Sequence, residues 1–224
     1  GRSGAGLYGD VMMEIDWSVG RVTEALRKAG VAQKTLVIFS SDNGPWDEFG
    51  NHSGKTPFRE HKGTSFDGGT RSATIIKYPA KLEAGRVLDR PLCTIDVLPT
   101  VAHLTGAELP DYAIDGKNVW PVLVGEEEVP HPHDYYAFEY SRRLEAVMTS
   151  DGRWKMHLPH PYRHVLEEGH DSRRGRVTRR QIGWALFDLE ADPYETLNVW
   201  DKHPEIVARL KAYAEAHREQ FDLK

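Results

Sequence analysis

Three short stretches carry side chains able to do chemistry. In Ser40-Ser41-Asp42-Asn43-Gly44, a carboxylate and an amide carbonyl stand side by side, directly after the apolar run Thr35-Leu36-Val37-Ile38-Phe39. Hard oxygen donors of this kind suit Ca²⁺, which takes about 6–8 oxygens, so two residues supply only part of a shell. The same residue types also build an ordinary turn, because Asp, Asn and Gly accept local hydrogen bonds and φ > 0. On these residues alone, turn and metal ligand are evenly matched. The second stretch is Lys62-Gly63, where a flexible ammonium with three donors precedes a glycine that lets a ligand approach the backbone. That chemistry suits a tetrahedral oxyanion, sulfate or phosphate; the plain reading is a solvated loop lysine.

The third stretch holds histidines and arginines. His157, His160 and His164 follow an apolar run and are candidates for facing an anionic substrate. Arg173, Arg174, Arg176, Arg179 and Arg180 form a basic run that would attract a polyanionic glycan, although a solvated insertion is the commoner use of such a run. His131-Pro132-His133-Asp134 has metal-ligating groups, but proline breaks it and a loop is the simpler reading. Gly50-Asn51-His52-Ser53-Gly54-Lys55-Thr56 ends like a phosphate loop, yet has three residues between its glycines where that motif needs four. Cys93 reads as a small buried residue.

These residues need elements to position them. Val11, Ile15, Val19, Val22 and Leu26 recur at helical spacing, with Asp10 as the expected N-cap and Gly30 as the stop. Leu36 to Phe39 reads as a strand buried on both faces of a parallel sheet, because it is uniformly apolar. Residues 44–69 are polar and glycine-punctuated, a loop long enough to be functional. Ser72 to Tyr78 is a second strand, and Thr94 to Leu104 a helix with Ile95, Leu98, Val101 and Leu104 on one face. Beyond Glu126-Glu127-Glu128 the texture changes to short strands at 135–140, 144–148, 154–158 and 184–189. Asp151-Gly152 marks a hairpin there, and a helix with Ile206, Leu210 and Tyr213 on one face follows. The expected fold is α/β: a mostly parallel sheet flanked by helices over residues 1–128, then a small antiparallel sheet plus helix over 129–224.

The 224 residues can bury a sizeable core, and a net charge of −5 argues against nonspecific nucleic-acid binding. One cysteine excludes an internal disulfide framework and a cysteine-based zinc cluster. No apolar run approaches the roughly 20 residues of a membrane helix. The opening Gly1-Arg2-Ser3-Gly4 reads as a linker entering a helix, and a natural start upstream is expected.

The chain resembles the C-terminal half of a sulfatase of the arylsulfatase type, in the alkaline-phosphatase-like superfamily. The resemblance runs in order through Tyr8-Gly9-Asp10, Met13 to Asp16, Leu36 to Gly44, Phe58 to Thr64, Asp67 to Arg71, Ile95 to Thr100 and Asp115-Gly116. It continues through Gly152 to Lys155, Leu186 to Leu189, Asp192-Pro193 and Glu195. It implies hydrolysis of a sulfate ester on a small molecule or glycan, with Asp42 and Asn43 helping to hold a divalent cation, usually Ca²⁺. Lys62 matches the lysine that contacts the ester. Arg59, Asp67, Arg71 and Asp96 match positions that hold the loop and cap a helix. Asn43 also separates subclasses. Phosphate and phosphonate ester hydrolases of the superfamily tend to carry Asp-His there, where imidazole suits Zn²⁺ or Mn²⁺. The family nucleophile is a formylglycine made within Cys/Ser-x-Pro-x-Arg, and Cys93 does not sit in that motif. The expected chain is therefore half of a site, completed by an N-terminal half, and inactive alone. The rival readings are a phosphate or phosphonate ester hydrolase, or a non-catalytic anion- or glycan-binding relic. The family also implies export to a periplasmic, extracellular or lysosomal space.

Overall fold

The computed structural model of the chain describes residues 1–126 and 129–223. Glu127 and Glu128, where the subdomain boundary is expected, lie outside the described residues. The chain opens with helix α1, Gly6–Lys28. Asp10 is not its N-cap: the helix begins four residues earlier, and the Asp10 carboxylate folds back to accept the Ser3 N–H at 2.8 Å. Gly30, at φ 70°, ends it as expected, because the left-handed conformation there suits glycine.

Strand β1, Val37–Ser40, pairs with β2, Thr74–Lys77, in an antiparallel two-stranded sheet. This departs from the expected parallel sheet with both faces buried. Uniform apolarity was a fair signal of burial, but among the described residues nothing covers the pair: Ile75 is 65 % exposed and Phe39 40 %. Helix α1 shares this state, with no buried residue and Leu7, Met13 and Trp17 open to solvent. The Asp67–Thr70 turn is a single helical turn, α2. A 3-10 turn at Thr94–Asp96 leads into α3, Val97–Thr105, which ends at Gly106 with φ 70°. Its expected apolar stripe is also uncovered, since Ile95 and Leu98 are exposed while Pro99, Thr100 and Ala102 are buried. A short helix α4, Trp120–Val124, precedes the change in texture.

The second part holds the core. Strands β3 (Tyr135–Tyr140), β4 (Arg143–Thr149), β5 (Trp154–His157) and β8 (Ala185–Asp188) form an antiparallel sheet in the order β3-β4-β5-β8. Asp151-Gly152 turns β4 into β5, with Gly152 at φ 78° and its N–H donating to the Thr149 carbonyl at 2.9 Å. On one face, Leu144, Trp154, Met156 and Leu186 pack on helix α5 (Pro204–Phe221) through Val207, Leu210 and Ala214. All four residues of β5 are buried, so the sheet has no solvent face there. Successive side chains alternate between faces, so Lys155 and His157 point away from α5, into the 59–71 loop. A hairpin of β6 (His160–Glu167) and β7 (Arg176–Ile182) rises between β5 and β8, where a solvated insertion is expected from the sequence. No helix among the described residues is long and apolar enough to cross a membrane.

Candidate functional site

Asp42 and Asn43 leave the end of β1 on the surface, Asp42 exposed and Asn43 half-buried. Lys62 is twenty positions away in sequence, yet two backbone hydrogen bonds clasp its loop to the same turn. The Lys62 N–H donates to the Pro45 carbonyl at 2.9 Å, and the Gly44 N–H donates to the Gly69 carbonyl at 3.0 Å. The clasp requires glycine: a Cβ on Gly44 would stand 1.8 Å from the Gly68 carbonyl oxygen. Lys62 Nζ lies 5.0 Å from the centroid of the Trp46 ring, a cation–π distance. The turn that carries Asp42 and Asn43 and the loop that carries Lys62 are thus tied together through their backbones.

The loop that carries Lys62 is held from beneath by a buried polar cluster. Lys155, wholly buried, donates to Asp67 at 2.8 Å and lies 3.3 Å from Glu195. Glu195 accepts the Asp67 backbone N–H at 2.7 Å and the His157 Nε2–H at 3.0 Å, while Arg59 donates to its carbonyl at 2.6 Å. Phe66 is sandwiched between the Arg59 guanidinium, 4.2 Å from its ring centroid, and the His157 ring at 4.5 Å. Burial would raise the Glu195 carboxyl, but the Lys155 charge and the His157 hydrogen bond outweigh it and hold it at about 2. Burial pushes the His157 imidazole down to about 4, so it is neutral. An ionised Glu195 only accepts, hence the proton sits on Nε2, and Nδ1 is left without a partner. Of the three candidate histidines, His157 and His160 are therefore interior rather than substrate-facing. Both side chains are fully buried, His157 in β5 and His160 at the start of β6, and His160 donates from Nδ1 to the Leu158 carbonyl at 2.7 Å.

A second set of polar links docks the β6–β7 hairpin on residues 46–60. Glu48, fully buried, accepts two bonds from Arg163 at 2.7 and 2.6 Å, one from Arg174 at 2.6 Å, and the Trp46 indole N–H. Burial would raise its carboxyl, but these donors outweigh it and keep it below the ordinary range. His164, the third of the candidate histidines, bonds Glu60 at 3.0 Å, and Asn51 exchanges two bonds with Asp171. Part of the basic run is thus consumed internally: Arg174 holds Glu48, and Arg176 pairs with Glu167 at 2.5 Å. Composition and spacing hid this clamp, because each link joins positions more than one hundred residues apart.

Cys93 and the His131/His133 pair belong to another place. Asp96, almost fully buried, accepts the Cys93 and Lys117 N–H groups at 3.1 and 2.9 Å and pairs with His133 at 2.7 Å. This is a helix-cap clasp, in which His133 is engaged with Asp96. Among the described residues, no three His, Cys, Asp or Glu side chains are grouped to hold a metal ion. For a hard cation, Asp42 and Asn43 nevertheless have the right donors: two adjacent side-chain oxygens at the surface, with only the Asn43 backbone carbonyl engaged, by Ser41 Oγ at 3.2 Å.

Residues 3–107 match the model of the family described as Sulfatase. Mouse steryl-sulfatase is 36 % identical over 97 % of this chain and 38 % of its own length. The crystal structure of PsFucS1 sulfatase from Pseudoalteromonas sp. superposes with a TM-score of 0.81 at 24 % identity, covering 96 % of this chain and 44 % of that one. Ps i-CgsB in complex with k-i-k-neocarrahexaose gives 0.72 at 25 % identity, covering 93 % and 42 %. The fold is that of the sulfatases, and the chain belongs to the sulfatase family. It spans about two-fifths of the length of the curated relatives it matches.

Proposed function

We propose that this chain is the C-terminal portion of a sulfatase that hydrolyses the sulfate ester of a small molecule or glycan. In this reading residues 1–128 complete an α/β catalytic domain, and 129–224 form the small subdomain that braces it. The observation that carries the proposal is the clasp joining the Lys62 loop to the Asn43 turn through Lys62 N–H to Pro45 and Gly44 N–H to Gly69. It ties the loop that bears an ammonium to the turn that bears two hard oxygen donors, the groups a sulfate ester and its cation would need.

Asp42 and Asn43 would hold a Ca²⁺ ion, with further acidic ligands from the rest of the protein. Bound there, the cation supplies positive charge to anionic oxygens without titrating. The formylglycine expected of the family lies outside this chain and would supply the nucleophile. Lys62 donates from Nζ to sulfate oxygens. Negative charge grows on the leaving oxygen and shifts over the sulfate group as the ester bond breaks, so a donor fixed beforehand is worth more in the transition state than in the bound ester. Its backbone bond to Pro45 and the ring of Trp46 supply that fixing.

The test is Lys62→Ala in the whole protein, this chain joined to its upstream portion. Loss of a preorganised donor should lower kcat by about 10²–10³-fold. Turnover unchanged by Lys62→Ala, or steady turnover by residues 1–224 alone, would refute the proposal.

A further inference from the structure

We propose that Trp46 is the platform on which the sulfate-bearing ring of the substrate stacks, so that the site prefers cyclic esters over acyclic ones. The proposal rests on the sulfatase reading and extends it to the leaving group. Trp46 is 39 % exposed, four residues beyond Asp42, in the turn that the clasp joins to Lys62. An exposed tryptophan could leave its indole N–H to water. This one donates its N–H to Glu48, a carboxylate with no solvent exposure.

Glu48 is in turn gripped by Arg163 and Arg174 from the β6–β7 hairpin. The indole also meets Phe49 edge-to-face, centroids 4.8 Å apart at 81°. An exposed aromatic ring is therefore held in one orientation by a buried carboxylate, two arginines and a phenyl ring. Holding up the hairpin would need only Glu48 and the arginines. The fixed indole is what remains to be explained, and a preorganised stacking surface explains it, because a rigid ring loses little freedom on binding.

Its position sets the ligand. Lys62 Nζ stands 5.0 Å from the indole centroid. A sulfate held by that ammonium carries its ester carbon two bonds from sulfur, which brings the attached ring beside the indole face. Both the C–H face of a pyranose and the π face of an aryl group stack on indole. The shared chemistry is a flat ring next to the ester oxygen.

The experiment uses the whole protein with Trp46→Ala and Trp46→Phe, assayed on 4-nitrophenyl sulfate and on a sulfated hexosamine. Inhibition by inorganic sulfate serves as the ring-free probe. For at least one ring ester, Trp46→Ala should lower kcat/KM about 10-fold or more, mainly through KM, and Trp46→Phe should recover most of the loss. The inhibition constant of sulfate, which reports any loosening of Lys62 once the ring is gone, should rise much less than the KM of that ester. The ester that loses more identifies the ring, sugar or aryl. Undiminished kcat/KM on both esters, or a sulfate constant that rises in step with KM, would overturn the platform while leaving the sulfatase reading intact. A wild-type protein that neither turns over the esters nor binds sulfate would overturn both.

Discussion

Lys155, His157 and Glu195 show how charge survives in a dry interior. Lys155 sits between two carboxylates, and His157 is neutral because burial disfavours its cation more than Glu195 favours it. The consequence is a pH dependence with a defined sign. His157 has an ordinary value of 6.5 and a folded value of about 4, so the unfolded chain binds its proton first. Stability that is full above pH 6.5 is lost as the pH falls toward 4. Glu195, depressed from 4.5 to about 2, continues the loss at lower pH. Unfolding in urea should therefore show a drop of about 2 kcal/mol between pH 7 and pH 5 from His157 alone. His157→Gln should flatten that part of the profile even though it lowers stability at neutral pH. An equal slope in the variant would place the titration elsewhere. Lys62, Asp42 and Asn43 were legible as chemistry from residue type, whereas Trp46 was not, because nothing in the sequence says where an indole N–H will be held.

At the scale of elements, the site depends on two loops that meet. The Gly44–Gly69 bond exists because no Cβ separates the strands of chain there; an added methyl would collide with the Gly68 carbonyl. Gly44→Ala should therefore part the Lys62 loop from the Asn43 turn. In the whole protein we expect kcat/KM to fall by about 10²-fold or more, since misplacement of about 1 Å costs that much. Far-ultraviolet circular dichroism should change little, because the clasp joins two loops and the strands and helices keep their own hydrogen bonds. Full activity in Gly44→Ala would show that the two loops are positioned independently. The sheet and α5 were readable from alternation, the Asp151-Gly152 turn and helical spacing. The β6–β7 hairpin was not, because its arginines and histidines look like a solvated run until Glu48 and Glu60 are brought against them.

The molecule as a whole is unevenly covered. The inner strands β4 and β5 of the four-stranded sheet are buried on both faces, yet α1 and the β1–β2 pair present Trp17, Phe39 and Ile75 to solvent. Contiguous apolar surface of this kind is unfavourable in water and drives association. The isolated 224-residue chain should bind a dye specific for exposed apolar surface and elute from a sizing column above its 25.4 kDa mass. Joining it to the upstream portion should abolish both effects. A monomeric, dye-free chain would show that these faces need no cover. By itself the sequence determined the family, the order of the elements outside the β6–β7 hairpin and α4, and the residue types at the strand-end turn, because motif order, periodicity and donor chemistry are local properties. Only the tertiary structure decided that β1 and β2 run antiparallel, that His157 and His160 are interior, and that Glu48 fixes Trp46 beside Lys62. Those outcomes rest on burial and on contacts between residues far apart in the chain, which no local pattern records.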